Sequence, residues 1–221
     1  MPGIVRTLIA RVSAAILRLF RNGHVMIRRG CPADADDFAE LALLSSPTLF
    51  PAIYGDSASR VLRSLHRQPR NLFSCENALF AELSGKNVGM LLAYDWRTRR
   101  EQNWRTGLLL LRELKFGIIR RAPGLLRSRN AVGDVPKGEV YISNVAVYTD
   151  HRGNGIGTRL IGEAQDLALR NAASALTLDV EADNHSAIRL YLRLGFSVAA
   201  ERRLSLGGGQ TLAFYRMRKA L

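Results

Sequence analysis

Between positions 139 and 170 the chain runs from EVYISNVAVY through TDHR into three alternating glycines, Gly153, Gly155 and Gly157, and then into the helical pattern TRLIGEAQDLALR. Glycines at such a strand-to-helix junction let the backbone come close to an anion. The unbonded N–H groups of the first helical turn, aligned with the helix dipole, then attract it. The segment therefore reads as a phosphate-binding loop. A Walker loop needs a lysine before its Ser or Thr, and here Thr158 directly follows Gly157. A dinucleotide fingerprint needs a third glycine where this chain has Thr158 or Leu160, depending on the starting glycine. P-loop nucleotidases and Rossmann dehydrogenases are thus disfavoured. Cys31 and Cys75 have no paired spacing and no histidine nearby in a ligand pattern, so neither a disulfide framework nor a metal site is expected. A reducing, cytoplasmic compartment follows from the same observation.

The loop resembles that of the GNAT superfamily of N-acetyltransferases, written Q/R-x-x-G-x-G/A and matched here by Arg152-Gly153-Asn154-Gly155-Ile156-Gly157. The likeness extends to the strand LTLDVEADN and to the helix SAIRLYLRLGF, with an Asn before the helix and Leu-Tyr and Gly-Phe towards its end. It covers roughly residues 25–94 and 139–219 and implies an α/β fold: a central mixed, mostly antiparallel sheet of about seven strands flanked by helices. It also implies roles. The amides of Arg152, Gly153, Asn154, Gly155, Ile156, Gly157 and Thr158 would hold the pyrophosphate of acetyl-CoA. The strand backbone at Val145, Ala146 and Val147 would pair with the pantetheine arm, Asn184 would hydrogen-bond that arm, and Tyr191 would face the sulfur. Plainer readings stand beside these: turn glycines, a helix-capping Asn184 and a core Tyr191.

The activity implied is transfer of an acetyl group from acetyl-CoA to a primary amine by direct attack, with no metal and no covalent enzyme intermediate. Tyr191 is the expected acid, because a phenol with pKa near 10 can protonate a leaving thiolate. Glu139 is the expected base. It opens the strand thirteen positions before Arg152, an offset at which some histone-acetylating members of the family keep a glutamate. Water, or Glu101, is the alternative relay. The rival class is a catalytically inactive acyl-CoA-binding module, regulatory or recruited to a membrane. The acceptor is not named by any residue. The loop at 45–55 and an insertion at 96–138, with Trp96, Trp104 and many arginines, are expected to shape its site, and a homodimer is a family habit that no residue here tests.

These residues must be positioned by elements that the hydrophobic pattern outlines. VMIRR reads as a first strand, and DADDFAELALLSS as a helix with Phe38, Leu41, Ala42 and Leu44 inward. SSPTLFPAIYGD, with two prolines, reads as a shaped loop, ending at Asp56 or Ser57 where a second helix to about residue 67 is capped. ALFAELSGKNVGMLLAYDW gives a hairpin, and one or two helices fill the insertion. Two further strands and two helices carry the matched motifs, Gly195 ends the last helix, and FSVAAERRLSL, a GGGQ turn and TLAFYRMRKAL close the sheet.

Residues 1–23 precede the domain assigned to 24–221. Over residues 4–21 the apolar side chains fall on one arc of roughly 160°, with arginines opposite, as in a basic amphipathic helix suited to peripheral membrane contact, targeting or packing on the domain. The scattered arginines argue against a transmembrane span. A net charge of +13 suits anionic partners such as a nucleotide cofactor, but no stripe of interleaved aromatic and basic residues marks sequence-specific nucleic-acid binding.

Overall fold

The expected hairpin turns on Ser84 (φ 51°) and Gly85 (φ 77°), both left-handed, which matches the twist that a two-residue antiparallel connection requires. The computed structural model describes residues 25–114, 133–205 and 211–221. The strands are β1 (Met26–Arg29), β2 (Ala78–Leu83), β3 (Lys86–Asp95), β4 (Glu139–Val147), β5 (Ala175–Glu181), β6 (Ser197–Ser205) and β7 (Thr211–Ala220). They form a seven-stranded sheet in the order β1-β2-β3-β4-β5-β7-β6. β4 and β5 are parallel, and every other neighbouring pair is antiparallel.

Helices cover both faces because successive strand residues point to opposite sides. α1 (Ala35–Ser45), α2 (Leu49–Tyr54), α3 (Ala58–Arg67) and α4 (Trp96–Leu114) share one face, where Phe38, Leu41 and Leu62 pack on Phe80, Met90 and Leu92. α5 (Ile156–Arg170) and α6 (His185–Arg193) cover the other. There Leu160, Ile161 and Ala164 pack on Val140, Ile142 and Leu178. α5 is also the crossover that parallel β4 and β5 require.

One of these element expectations needs correcting. The proline-containing stretch after α1 is not all loop, since α2 forms through Pro51; a proline fits a first helical turn because that N–H has no partner anyway. The first half of the insertion is a single helix, α4. Leu109 packs on Val61 and Leu65 of α3, and Glu113 accepts from Arg60 at 3.0 Å and from the Ser64 hydroxyl at 2.6 Å. The expected N-terminal amphipathic helix, residues 115–132 of the insertion and the GGGQ turn lie outside the described residues.

Candidate active site

β4 and β5 pair from Glu139 opposite Ala175 to Ile142 opposite Leu178, and then part. At that point β4 carries a bulge: Leu92 of β3 faces Asn144 and Ala93 faces Ile142, leaving Ser143 as the extra residue that re-aims the strand. The Tyr148 N–H donates to the Val88 carbonyl at 3.0 Å. Antiparallel alternation then turns the main-chain groups of Ala146 towards β3 and those of Val145 and Val147 towards the opened edge. Ala146 lines the gap as well, although its own amide and carbonyl face β3.

The glycine loop closes one end of the gap. The Arg152 Nε donates to the Val147 carbonyl at 3.0 Å, and the Asn154 Nδ2 to the His151 carbonyl at 3.2 Å, which fixes the loop's shape. The first bond entering α5 runs from the Arg159 N–H to the Gly155 carbonyl at 3.1 Å. Among the described residues, the amides of 153–158 donate to no backbone or side-chain acceptor, so a cradle of N–H groups stands at the positive end of a helix. Gly153 (φ 79°) and Gly155 (φ 75°) are glycines because the chain is left-handed there. Gly157 differs. Its φ is ordinary and an added Cβ would only touch Leu190 at 3.6 Å, so nothing among the described residues demands glycine.

α6 forms the floor. Asn184 caps it, its Oδ1 accepting from the Ala187 N–H at 3.2 Å and the Ser186 hydroxyl at 3.1 Å, and still lines the gap. Tyr191 is 7% exposed, its ring 5.8 Å from that of Phe196. Burial raises its pKa well above the ordinary phenol value, so the hydroxyl keeps its proton.

Together these elements enclose a cleft of about 700 Å³, closed on the α1 side by Leu44, Ser45, Ser46 and Pro47. The Asn144 Nδ2 donates to the Ser45 Oγ at 2.7 Å, tying that wall to the bulge. The cleft also contains two carboxylates that the sequence reading did not single out, Asp179 and Glu181. Period-two alternation could have found them: Leu178 and Val180 enter the core beneath α5, which sends Asp179 and Glu181 to the opposite face. Asp179 is saturated, accepting from the Arg216 Nε and Nη2 (2.7 Å each), the Tyr141 hydroxyl (3.1 Å) and the Gly133 N–H (2.9 Å).

The structure thus brings together Val145, Ala146, Val147, Arg152, Gly153, Gly155, Ile156, Gly157, Thr158, Asn184 and Tyr191, with Asn154 bracing the loop. It does not bring Glu139 to them. Glu139 sits where β4 and β5 are still paired, is buried, accepts from the Arg218 Nε at 2.9 Å and does not line the cleft. Being at the start of the strand places it at the end away from the gap. Nor does α4 form a wall: none of residues 96–114, Glu101 included, lines the cleft, and Trp104 is 63% exposed on α4.

Comparison with known proteins agrees with this geometry. The family model described as acetyltransferase (GNAT) family matches residues 43–196. The chain is 42% identical over 64 residues to a mycothiol acetyltransferase of Corynebacterium aurimucosum, covering 29% of this chain and 20% of that protein. It is 36% identical over 73 residues to the [ribosomal protein bS18]-alanine N-acetyltransferase of Escherichia coli K12, covering 33% and 49%. The matched segment therefore spans half or less of these relatives. In fold the chain is similar to an N-acetyltransferase from Staphylococcus aureus Mu50 (TM-score 0.63, 19% identity, 87% of this chain and 99% of that one). It is also similar to a putative acetyltransferase from Salmonella typhimurium solved with its cofactor acetyl-CoA (TM-score 0.55, 22% identity, 89% and 94%). Among the described residues no helix is long and apolar enough to cross a membrane.

Proposed function

The chain belongs to the acetyltransferase (GNAT) family, and from that premise we propose that it transfers an acetyl group from acetyl-CoA to a primary amine by direct attack. One observation carries this reading: the amides of residues 153–158, unbonded among the described residues, open into the same cleft as the edge of β4 at Val145 and Val147 that β5 no longer pairs. That arrangement suits an elongated ligand with phosphates at one end and an amide-bearing arm at the other. The amides from Gly153 to Thr158 hold the pyrophosphate, with Arg152 and Arg193 supplying positive charge at the cleft. Val145 and Val147 take the arm as an added strand, and Asn184 donates to it through the amide hydrogens its capping role leaves over. When bound, acetyl-CoA supplies an activated acyl carbon and a thiolate leaving group.

Tyr191 acts by protonating that thiolate. Burial keeps the phenol protonated at neutral pH, so its proton is in place when negative charge develops on the sulfur. The parted strands hold the reactants in line, which accounts for catalysis without a covalent intermediate. The catalytic domain is residues 24–221, in a cytoplasmic protein whose residues 4–21 serve a peripheral role at a membrane surface.

Titration calorimetry with acetyl-CoA, paired with thiol release over a panel of primary amines, tests the reading. Micromolar binding with amine-dependent thiol release is the expected result. Binding without release for any amine would make the chain an acyl-CoA-binding module instead.

A further inference from the structure

An acetyl transfer of this kind begins with an acceptor that arrives as an ammonium at neutral pH, so a group in the cleft has to receive its charge and its proton. The groups lining the cleft that could do so are His151, Asp179 and Glu181. His151 belongs to the short turn that leads into the glycine loop, at the phosphate end. Asp179 is locked by Arg216, Tyr141 and Gly133, which leaves no lone pair facing a ligand at good geometry. Glu181 is different. It ends β5 beyond the point where β4 has left, on the face turned towards α1 and α2, and its Oε1 is buried with no hydrogen-bond partner among the described residues. A buried carboxylate oxygen without a donor costs stability unless something binds there.

We propose that Glu181 receives the acceptor's ammonium group in the cleft and removes its proton, making this a transferase for cationic amines. The inference rests on the reading of the cleft as an acetyl-transfer site. In the step, one N–H proton passes to the Glu181 carboxylate and the freed lone pair forms the C–N bond to the acyl carbon. The C–S pair leaves on sulfur, which takes the Tyr191 proton. The second nitrogen proton restores the phenol and Glu181 passes its own proton to water, so amide, thiol and one proton are the net products.

The surroundings fit this role. Burial is the main cause that lifts the Glu181 carboxyl above the ordinary range, and Asp183, the charged group bearing on it, adds to the effect. The Thr48 hydroxyl and the Leu49 amide, facing it from the start of α2, act in the opposite sense. Phe214 stands opposite on β7 and brings no charge. A carboxylate on this wall of the cleft suits a cationic acceptor, in contrast to the arginine-rich wall expected of the insertion.

The test compares wild-type protein with the isosteric Glu181→Gln and the charge-retaining Glu181→Asp, each checked for an unchanged melting temperature. Calorimetry of cadaverine binding to the protein loaded with coenzyme A provides a readout independent of turnover. Gln should weaken it at least ~10-fold and Asp by less, as expected for a lost charged hydrogen bond. In wild-type protein, kcat/KM for cadaverine should rise through a glutamate-like step on the acid side. In the Gln variant that step should vanish and activity should climb only as the amine itself loses its proton. Equal cadaverine affinity and an unchanged pH profile in Gln would overturn the role of Glu181 while leaving the acetyl-transfer reading intact. Wild-type protein that neither binds coenzyme A nor releases thiol would overturn both.

Discussion

Gly155 and Gly157 look equivalent in the sequence but carry different loads. Gly155 is held at φ 75°, so Gly155→Ala should lower stability by roughly 1 kcal/mol whatever it does to binding. Gly157 has ordinary geometry and room for a Cβ. Gly157→Glu should therefore leave the melting temperature within a degree or two and abolish acetyl-CoA binding, because a carboxylate would stand among the open amides. Calorimetry beside thermal unfolding separates the two effects, and undiminished affinity in folded Gly157→Glu would remove the loop from the donor site. Tyr191→Phe keeps the ring against Phe196 and deletes only the proton donor. Turnover should fall by roughly 10² to 10⁴ with acetyl-CoA affinity nearly unchanged.

At the scale of elements, the parting of β4 and β5 is the feature on which the cleft depends, and several side chains stabilise it. Asp179 and Arg216 form a buried pair, with side-chain exposures of 0% and 5%, just where the gap begins, and the Arg216 Nη1 also donates to the Asp134 carbonyl at 2.9 Å. That pair anchors β5 to β7 after it loses β4. Arg216→Met should cost about 3 to 5 kcal/mol, because it strands a buried carboxylate. The double variant Arg216→Met/Asp179→Asn should recover much of that loss in urea unfolding. Gly89 shows how close β3 and β4 lie: an added Cβ would stand 2.8 Å from the Ala146 carbonyl.

For the whole molecule, two groups make acid the unfavourable direction. His66 is fully buried between Phe38 and Phe80, its Nδ1 3.3 Å from the Phe73 carbonyl, and burial lowers its pKa. A depressed histidine binds its proton more readily unfolded than folded, so its contribution to stability is present above about pH 6.5 and is lost as pH falls below it. Asp34 is also held down, by the Arg28 guanidinium at 2.7 Å and the Cys31 amide, against the opposing effect of burial, and its contribution is lost at lower pH still. Thermal melts should therefore show a falling midpoint from pH 7 to 5, and His66→Gln should flatten that slope. Removing residues 1–22 should change vesicle binding or solubility more than turnover. Equal loss of melting temperature and activity would make that segment part of the core.

The sequence by itself determined the loop, the helix that follows it, the capping Asn184 and the sheet-forming pattern, because these depend on residues close together along the chain. The backbone freedom of Gly153 and Gly155, the periodicity of α5 and the alternation in β5 are all local. What only the tertiary structure decided is which side chains share the cleft. Glu139 and Val145 belong to one strand, yet the end where β5 is still paired puts the first outside the cleft and the end where β5 has left puts the second inside. Trp104 reads as a wall and is exposed on α4, while Glu181, which the sequence did not single out, has a buried oxygen with no donor among the described residues. Strand parting, a bulge and burial come from packing between segments far apart in sequence, and no local spacing encodes them.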